Sequence, residues 1–236
     1  MLDGVDLSTP TPAEGWDVRD CVSHLAGTDV EATLSLSDPD AFVAKLPHIA
    51  TDIEGFLTGQ LVERRWLQPE VFVEQWQTGF DRMLGAFDAV EPSVKLPWYG
   101  PPMSFASFAT ARLMEYWAHG QDVADGLGIS REPTGRLRHV CHLGYRTRGF
   151  AYVNRGMTPP AANVRLDLTA PDGTAWSYGG DDAPDRVTGT AHDFALLVTQ
   201  RRHRDDVELA ATPAAEEWLQ IAQCFAGPPG PGRARR

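Results

Sequence analysis

The sequence predicts a wholly helical N-terminal half followed by a small α+β C-terminal half. Up to about residue 128 the apolar residues recur only at helical spacing, most clearly Phe72, Trp76, Phe80, Met83 and Phe87. Beyond residue 160 they alternate instead: Val164, Leu166 and Leu168, a Pro171-Asp172-Gly173 turn, then Trp176 and Tyr178. Gly126 and Gly128 punctuate the change. The predicted division is therefore a helical bundle over 1–130, a small α+β domain over 131–226 and a Pro/Gly-rich disordered tail over 227–236.

Each element has its own signal. Asp17 caps a helix over 17–36 whose Val18, Val22, Leu25, Ala32 and Leu36 share a face. Asp38-Pro39 opens a short helix that Pro47 is expected to interrupt, with a second run over 48–66. Pro69 sits at a first helical position, and the aromatic stripe that follows reads as core. A Pro/Gly-rich connection over 91–103 leads to Ser104, the cap of a helix reaching about residue 127. In the second half the pattern predicts a helix over 135–153, the 164–178 hairpin and a third strand at 187–190. It closes with a helix over 192–202, a strand near 207–210 and a helix over 213–225 capped by Thr212.

Composition narrows the function. The chain has 236 residues, 42% hydrophobic and 22% charged, which is ordinary for a globular protein. No apolar run is long enough for a membrane span, and the acidic start lacks the apolar stretch of a secretory signal. Cys21, Cys141 and Cys224 are odd in number and far apart, as expected of reduced thiols in the cytoplasm. A net charge of −11 argues against general nucleic-acid binding. Two basic clusters stand out against it: Arg136, Arg138, Arg146, Arg148 and Arg155, and Arg201, Arg202, His203 and Arg204. They read either as partners for the excess acid or as a pocket for a small anion, because guanidinium forks match carboxylates.

Glu115 and His119 lie four residues apart on the predicted 104–127 helix, so both leave one face a turn apart. That spacing alone is near chance, and a third ligand is required; His24 on the first helix is the natural candidate. On a helical wheel, Phe108, Ala111, Glu115, Ala118, His119 and Asp122 share a side opposite Leu113, Tyr116, Trp117, Val123 and Leu127. The second group is the expected core stripe, and periodicity alone favours solvent for the first. His24 sits with Asp20, Thr28 and Glu31, likewise away from its apolar stripe. Asp122 reads as an exposed acid or a partner orienting His119, and Cys21 as a buried thiol one turn from His24. Trp98 and Tyr99 read as packing or as the mouth of the site. The close trio His139, Cys141 and His142 points in different directions on a helix, and His48, His192 and His203 read as surface or capping residues. Three protein ligands would leave an open fourth position, the arrangement of a catalytic zinc.

The segments Gly15-Trp16-Asp17-Val18-Arg19-Asp20-Cys21-Val22-Ser23-His24-Leu25 and Glu115-Tyr116-Trp117-Ala118-His119 resemble the paired signatures of DinB-like metal-binding proteins. Within that group they are most similar to the N-terminal domain of mycothiol-dependent maleylpyruvate isomerases. The resemblance spans about residues 10–128 and implies a DinB-like four-helix bundle with His24, Glu115 and His119 holding zinc or a similar divalent ion. The second half resembles the small α+β, sterol-carrier-like domain of the same family. Its segment from Val187 to Arg202 implies an active-site arginine, Arg201 by position with Arg202 next, although Gln200 stands where the family carries glycine. The family has about twenty residues of first helix before the Gly-Trp pair. Here only fourteen precede it, with prolines at 10 and 12, so the expectation is either that Met1 is an internal start of a longer protein or that the bundle lacks one helix. Either way, an apolar groove is expected to await another chain or segment.

The resemblance implies a metal-dependent isomerase or transferase that acts on a small anionic substrate with a low-molecular-weight thiol such as mycothiol. The expected partners include neither nucleic acid nor membrane, and the expected state is a monomer or homodimer. The alternative is a non-catalytic, metal-containing binding or regulatory module.

Overall fold

The computed structural model describes residue 2 and residues 4–235. Its first half is helical: α1 (Val18–Ser37), α2 (Pro39–Thr51), α3 (Ile53–Arg64), α4 (Pro69–Asp88) and α5 (Phe105–Gly126), with a minimal hairpin of β1 (Lys95–Leu96) and β2 (Met103–Ser104) before α5. Two compact units emerge. One holds the residues up to Arg112 and His119–Ser130; the other holds Leu113–Ala118 and the residues from Arg131 on. Among the described residues, no helix is long and apolar enough to cross a membrane.

In the first unit the helix starts follow local chemistry. The Asp17 side chain accepts from the Asp20 backbone N–H at 2.8 Å while Asp20 accepts from that of Asp17, a reciprocal cap. Asp38 caps α2 and Ser104 caps α5. The expected break at Pro47 is displaced: α2 runs through the proline to Thr51, and Asp52 then caps α3 by accepting from the Gly55 N–H. A proline removes one backbone bond, whereas an acid at an N-cap position starts a new helix, and here the cap decides. α1 packs against α2, α3 and α4. Phe72 and Met83 are the buried members of the α4 stripe.

Among the described residues, no helix precedes α1. Instead Leu7 is buried in a cluster with Val18, Cys21, Val22, Phe72 and Val123, and Leu2 and Val5 pack beside it. Extended and turning chain thus lies over apolar surface that the sequence led us to expect uncovered.

The second unit comprises α6 (Leu137–Arg146), α7 (Arg148–Val153), β3 (Val164–Thr169), β4 (Ala175–Tyr178), β5 (Asp185–Thr190), α8 (Ala191–Val198), β6 (Leu209–Ala211) and α9 (Pro213–Ile221). The sheet order is β4-β3-β5-β6, with β3 and β5 parallel and the outer pairs antiparallel. The hairpin turn uses Gly173 at φ +80°, and Asp172 accepts from the Thr174 N–H. The single helix expected over 135–153 is two, because the Thr147 hydroxyl bonds to the Leu143 and Gly144 carbonyls at the junction. Leu166, Leu168 and Val187 of the sheet pack with Phe194 and Val198 of α8 and Trp218 of α9 in one core. α8 ends four residues early: Gln200 adopts φ +56°, and the Arg201 N–H turns back to the Leu196 carbonyl at 2.8 Å. After α9 the Gly227 and Gly230 carbonyls accept from the Asn154 and Arg155 side chains.

Candidate metal centre

The turn before α1 builds the first wall of the site. Gly15 takes φ +75°, a conformation that favours glycine, and lets Trp16 fold back so that its N–H reaches the Ala13 carbonyl at 2.9 Å. Thr11 pairs with the Trp16 carbonyl, and a bridge joins Pro10 to Asp17. The Trp16 ring then stacks on His119 at 5.5 Å and tilts against His24 at 5.4 Å. The Gly15-Trp16-Asp17 run therefore does three things: it turns the chain, covers two imidazoles and caps the helix that carries one of them.

His24 sits on α1, with Glu115 and His119 one turn apart on α5. The two imidazole centroids are 4.8 Å apart, and one potential ligand atom from each of the three residues lies within 4.8 Å of the other two. His24 and Glu115 are half-buried and His119 is only 9% exposed. Two imidazoles and a carboxylate at this separation suit a zinc-type ion with an open position.

Two readings of the helical wheel are corrected. Phe108, Ala118, His119 and Asp122 are buried, whereas Leu113, Tyr116 and Trp117 are only half-buried. Asp122 is not an exposed acid: it is fully buried, and its Oδ2 lies 3.2 Å from His119 Nδ1. That contact leaves Nε2 as the lone-pair nitrogen of the ring. On α1, Asp20, Thr28 and Glu31 beside His24 are buried as well. Cys21 is buried, its Sγ 3.7 Å from the Thr11 hydroxyl, and it forms a second close group with His119 and Asp122.

Arg201 extends to α5, where its Nε donates to the Ala118 carbonyl at 3.2 Å and its Nη1 to the Thr199 carbonyl at 2.6 Å. Burial pushes the Cys224 thiol far up; the charge of Glu115 adds to this and that of Arg201 opposes it. Arg202 takes a different course and bonds back to the Arg201 carbonyl. Trp98 stacks on Phe42 and meets Phe108 edge-on, so it packs. Cys141 donates to the Ala191 carbonyl, His142 lies against Tyr178, and neither joins a metal-capable group among the described residues. Trp16 is the contact the residue spacing missed.

The family described as Mycothiol maleylpyruvate isomerase N-terminal domain matches residues 1–124. Two uncharacterized proteins from strains of Mycobacterium tuberculosis are each 45% identical over 225 residues, covering 95% of this chain and 88% of theirs. Crystal structures of the mycothiol-dependent maleylpyruvate isomerase, and of a histidine-to-alanine mutant of it, share the fold. Their TM-score is 0.56 at 15% identity, covering 90% of this chain and 86% of the other.

Proposed function

Because the chain belongs to the mycothiol maleylpyruvate isomerase N-terminal domain family, we propose that it is a divalent-metal enzyme. It acts with a low-molecular-weight thiol, mycothiol in the isomerase whose crystal structures share the fold, on a small anionic substrate in the cytoplasm, as an isomerase or transferase. The observation that carries this reading is the approach of His24, Glu115 and His119 ligand atoms to within 4.8 Å beneath the Trp16 ring.

The donor set fits the group. A divalent ion such as zinc held there supplies a positive charge and an open position that favour the thiolate of a bound thiol near neutral pH. The chain's own residues do the rest. Asp122 accepts from His119 Nδ1–H and keeps the ring in the tautomer with Nε2 available. Trp16 covers one side of each imidazole, and His119, the more buried of the two, sits in the lower-dielectric environment. Arg201, anchored by the Ala118 and Thr199 carbonyls, is the group we assign to the substrate carboxylate.

Elemental analysis of wild type beside His119→Ala and Glu115→Ala, with turnover measured with and without thiol, tests the assignment. Near-stoichiometric metal in wild type, its loss in both variants and thiol-dependent turnover are expected. Equal metal content in all three proteins would falsify the ligand set. Metal with ligand-induced stabilisation but no thiol-dependent turnover would mean a binding module instead.

A further inference from the structure

The positive φ of Gln200 separates two neighbouring arginines. Arg201 goes to α5, whereas Arg202 lines a cavity of about 260 Å³ inside the second unit. Arg155, His203, Arg204 and Arg233 line it too, with the backbone of Gly230–Gly232 closing one side. Among the described residues that line it there is no Asp or Glu, and Glu216 pairs with Arg204 from outside the lining. Both basic clusters of the sequence contribute, since Arg155 comes from the first and Arg202–Arg204 from the second.

The walls are built rather than loose. Arg204 grips Glu216 through Nε at 2.9 Å and Nη2 at 2.7 Å, and also donates to the Val207 and Leu209 carbonyls. Gln200 is pinned by its Nε2 bond to the Ala222 carbonyl. Arg155 donates through Nη2 to the Gly230 carbonyl, while its Nη1 is buried without a partner. A buried guanidinium donor without an acceptor is costly, and a neighbouring arginine raises that cost further. Water can accept the hydrogen bond from Arg155 Nη1; an oxyanion accepts it and also brings a charge complementary to the guanidinium.

We propose that this cavity is a second ligand site, separate from the metal centre, for a small doubly charged oxyanion: a phosphate group or a short dicarboxylate held by Arg155 and Arg202. It does not depend on the metal assignment, because Arg201 is not among its walls.

The test titrates full-length, metal-stripped protein by calorimetry, first with inorganic phosphate and then with succinate. Saturable one-to-one binding of at least one probe is expected, weakened about tenfold or more by Arg155→Gln or Arg202→Gln. Arg202→Lys, which keeps the charge but not the fork, guards against misfolding and should weaken binding by a smaller factor. The stronger probe identifies the ligand class. The proposal is overturned if neither probe saturates by about 10 mM, if the arginine variants bind like wild type, or if His119→Ala abolishes binding.

Discussion

Replacing Asp122 by asparagine removes one negative charge from a fully buried position 3.2 Å from His119 Nδ1 while keeping the size of the side chain. The amide oxygen can still accept the Nδ1–H bond, so ring orientation survives; what disappears is the charge that makes Nε2 a better donor. Loss of such an outer partner commonly lowers metal affinity 10–100-fold, about 1.4–2.7 kcal/mol. Asp122→Ala leaves Nδ1–H without this acceptor and opens a small void, so its loss should be larger. Zinc competition against a chromogenic chelator measures affinity, and thermal melts of the metal-free proteins separate it from folding. The expected order of affinity is wild type, then asparagine, then alanine, with the metal-free asparagine variant melting close to wild type. Asparagine binding zinc within twofold of wild type would refute the charge argument and leave Asp122 a packing residue.

Three further outcomes are expected. Arg112→Met removes the guanidinium that meets the buried Asp29 carboxylate at 2.8 Å and should cost about 3–5 kcal/mol in urea denaturation; adding Asp29→Leu should recover most of it. Gly144→Ala places a Cβ 2.7 Å from Val198 Cγ2, where α6 meets α8, and should destabilise by about 1–3 kcal/mol unless Val198→Ala accompanies it. Burial pushes the Cys141 thiol from 9.0 up to about 12. The native state thus holds this proton more tightly than the unfolded chain, a contribution complete below pH 9.0 and lost toward about 12. Stability should therefore fall by about 1.4 kcal/mol per pH unit in that window, and a Cys141→Ala variant should show a shallower slope.

The elements most legible in the sequence were those whose signals are local. Ser104 as cap, the α4 aromatic stripe, the 164–178 hairpin and Gly128 just after α5 each specify their structure within a few residues. The Glu115–His119 spacing placed both residues on one face of α5 but was by itself near chance as a ligand signal. What misled was the assumption that a helix has one wet face: on α5, Asp122 and His119 are buried although no apolar period marks them. The ends of α8 and α6 were also misjudged, because a left-handed Gln200 and the Thr147 hydroxyl decide them without glycine or proline. The course of Arg201 followed from that same unsignalled turn. The uncovered groove was expected because a missing helix was counted as missing cover, whereas Leu2, Val5 and Leu7 pack there without being helical.

The polar residues of α1 explain how His24 acquires a fixed direction. Among them, Asp20 meets Arg65, Asp29 meets Arg112, Glu31 meets Lys45, and Ser35 donates to the Pro97 carbonyl. These partners come from α2, α5, the residue just after α3 and the loop between β1 and β2, and they surround the helix. Apolar contacts tolerate rotation, since one methyl can replace another; buried ion pairs do not. Turning α1 by one residue, about 100°, would strand Asp29 and Glu31 in the interior at several kcal/mol each. The buried charges therefore contribute little net stability and much azimuthal specificity. On that account the Arg112→Met/Asp29→Leu pair should keep the fold yet bind zinc less tightly, because the helix bearing His24 would have lost a pin. Unchanged zinc affinity in that double variant would show that packing alone sets the direction of His24.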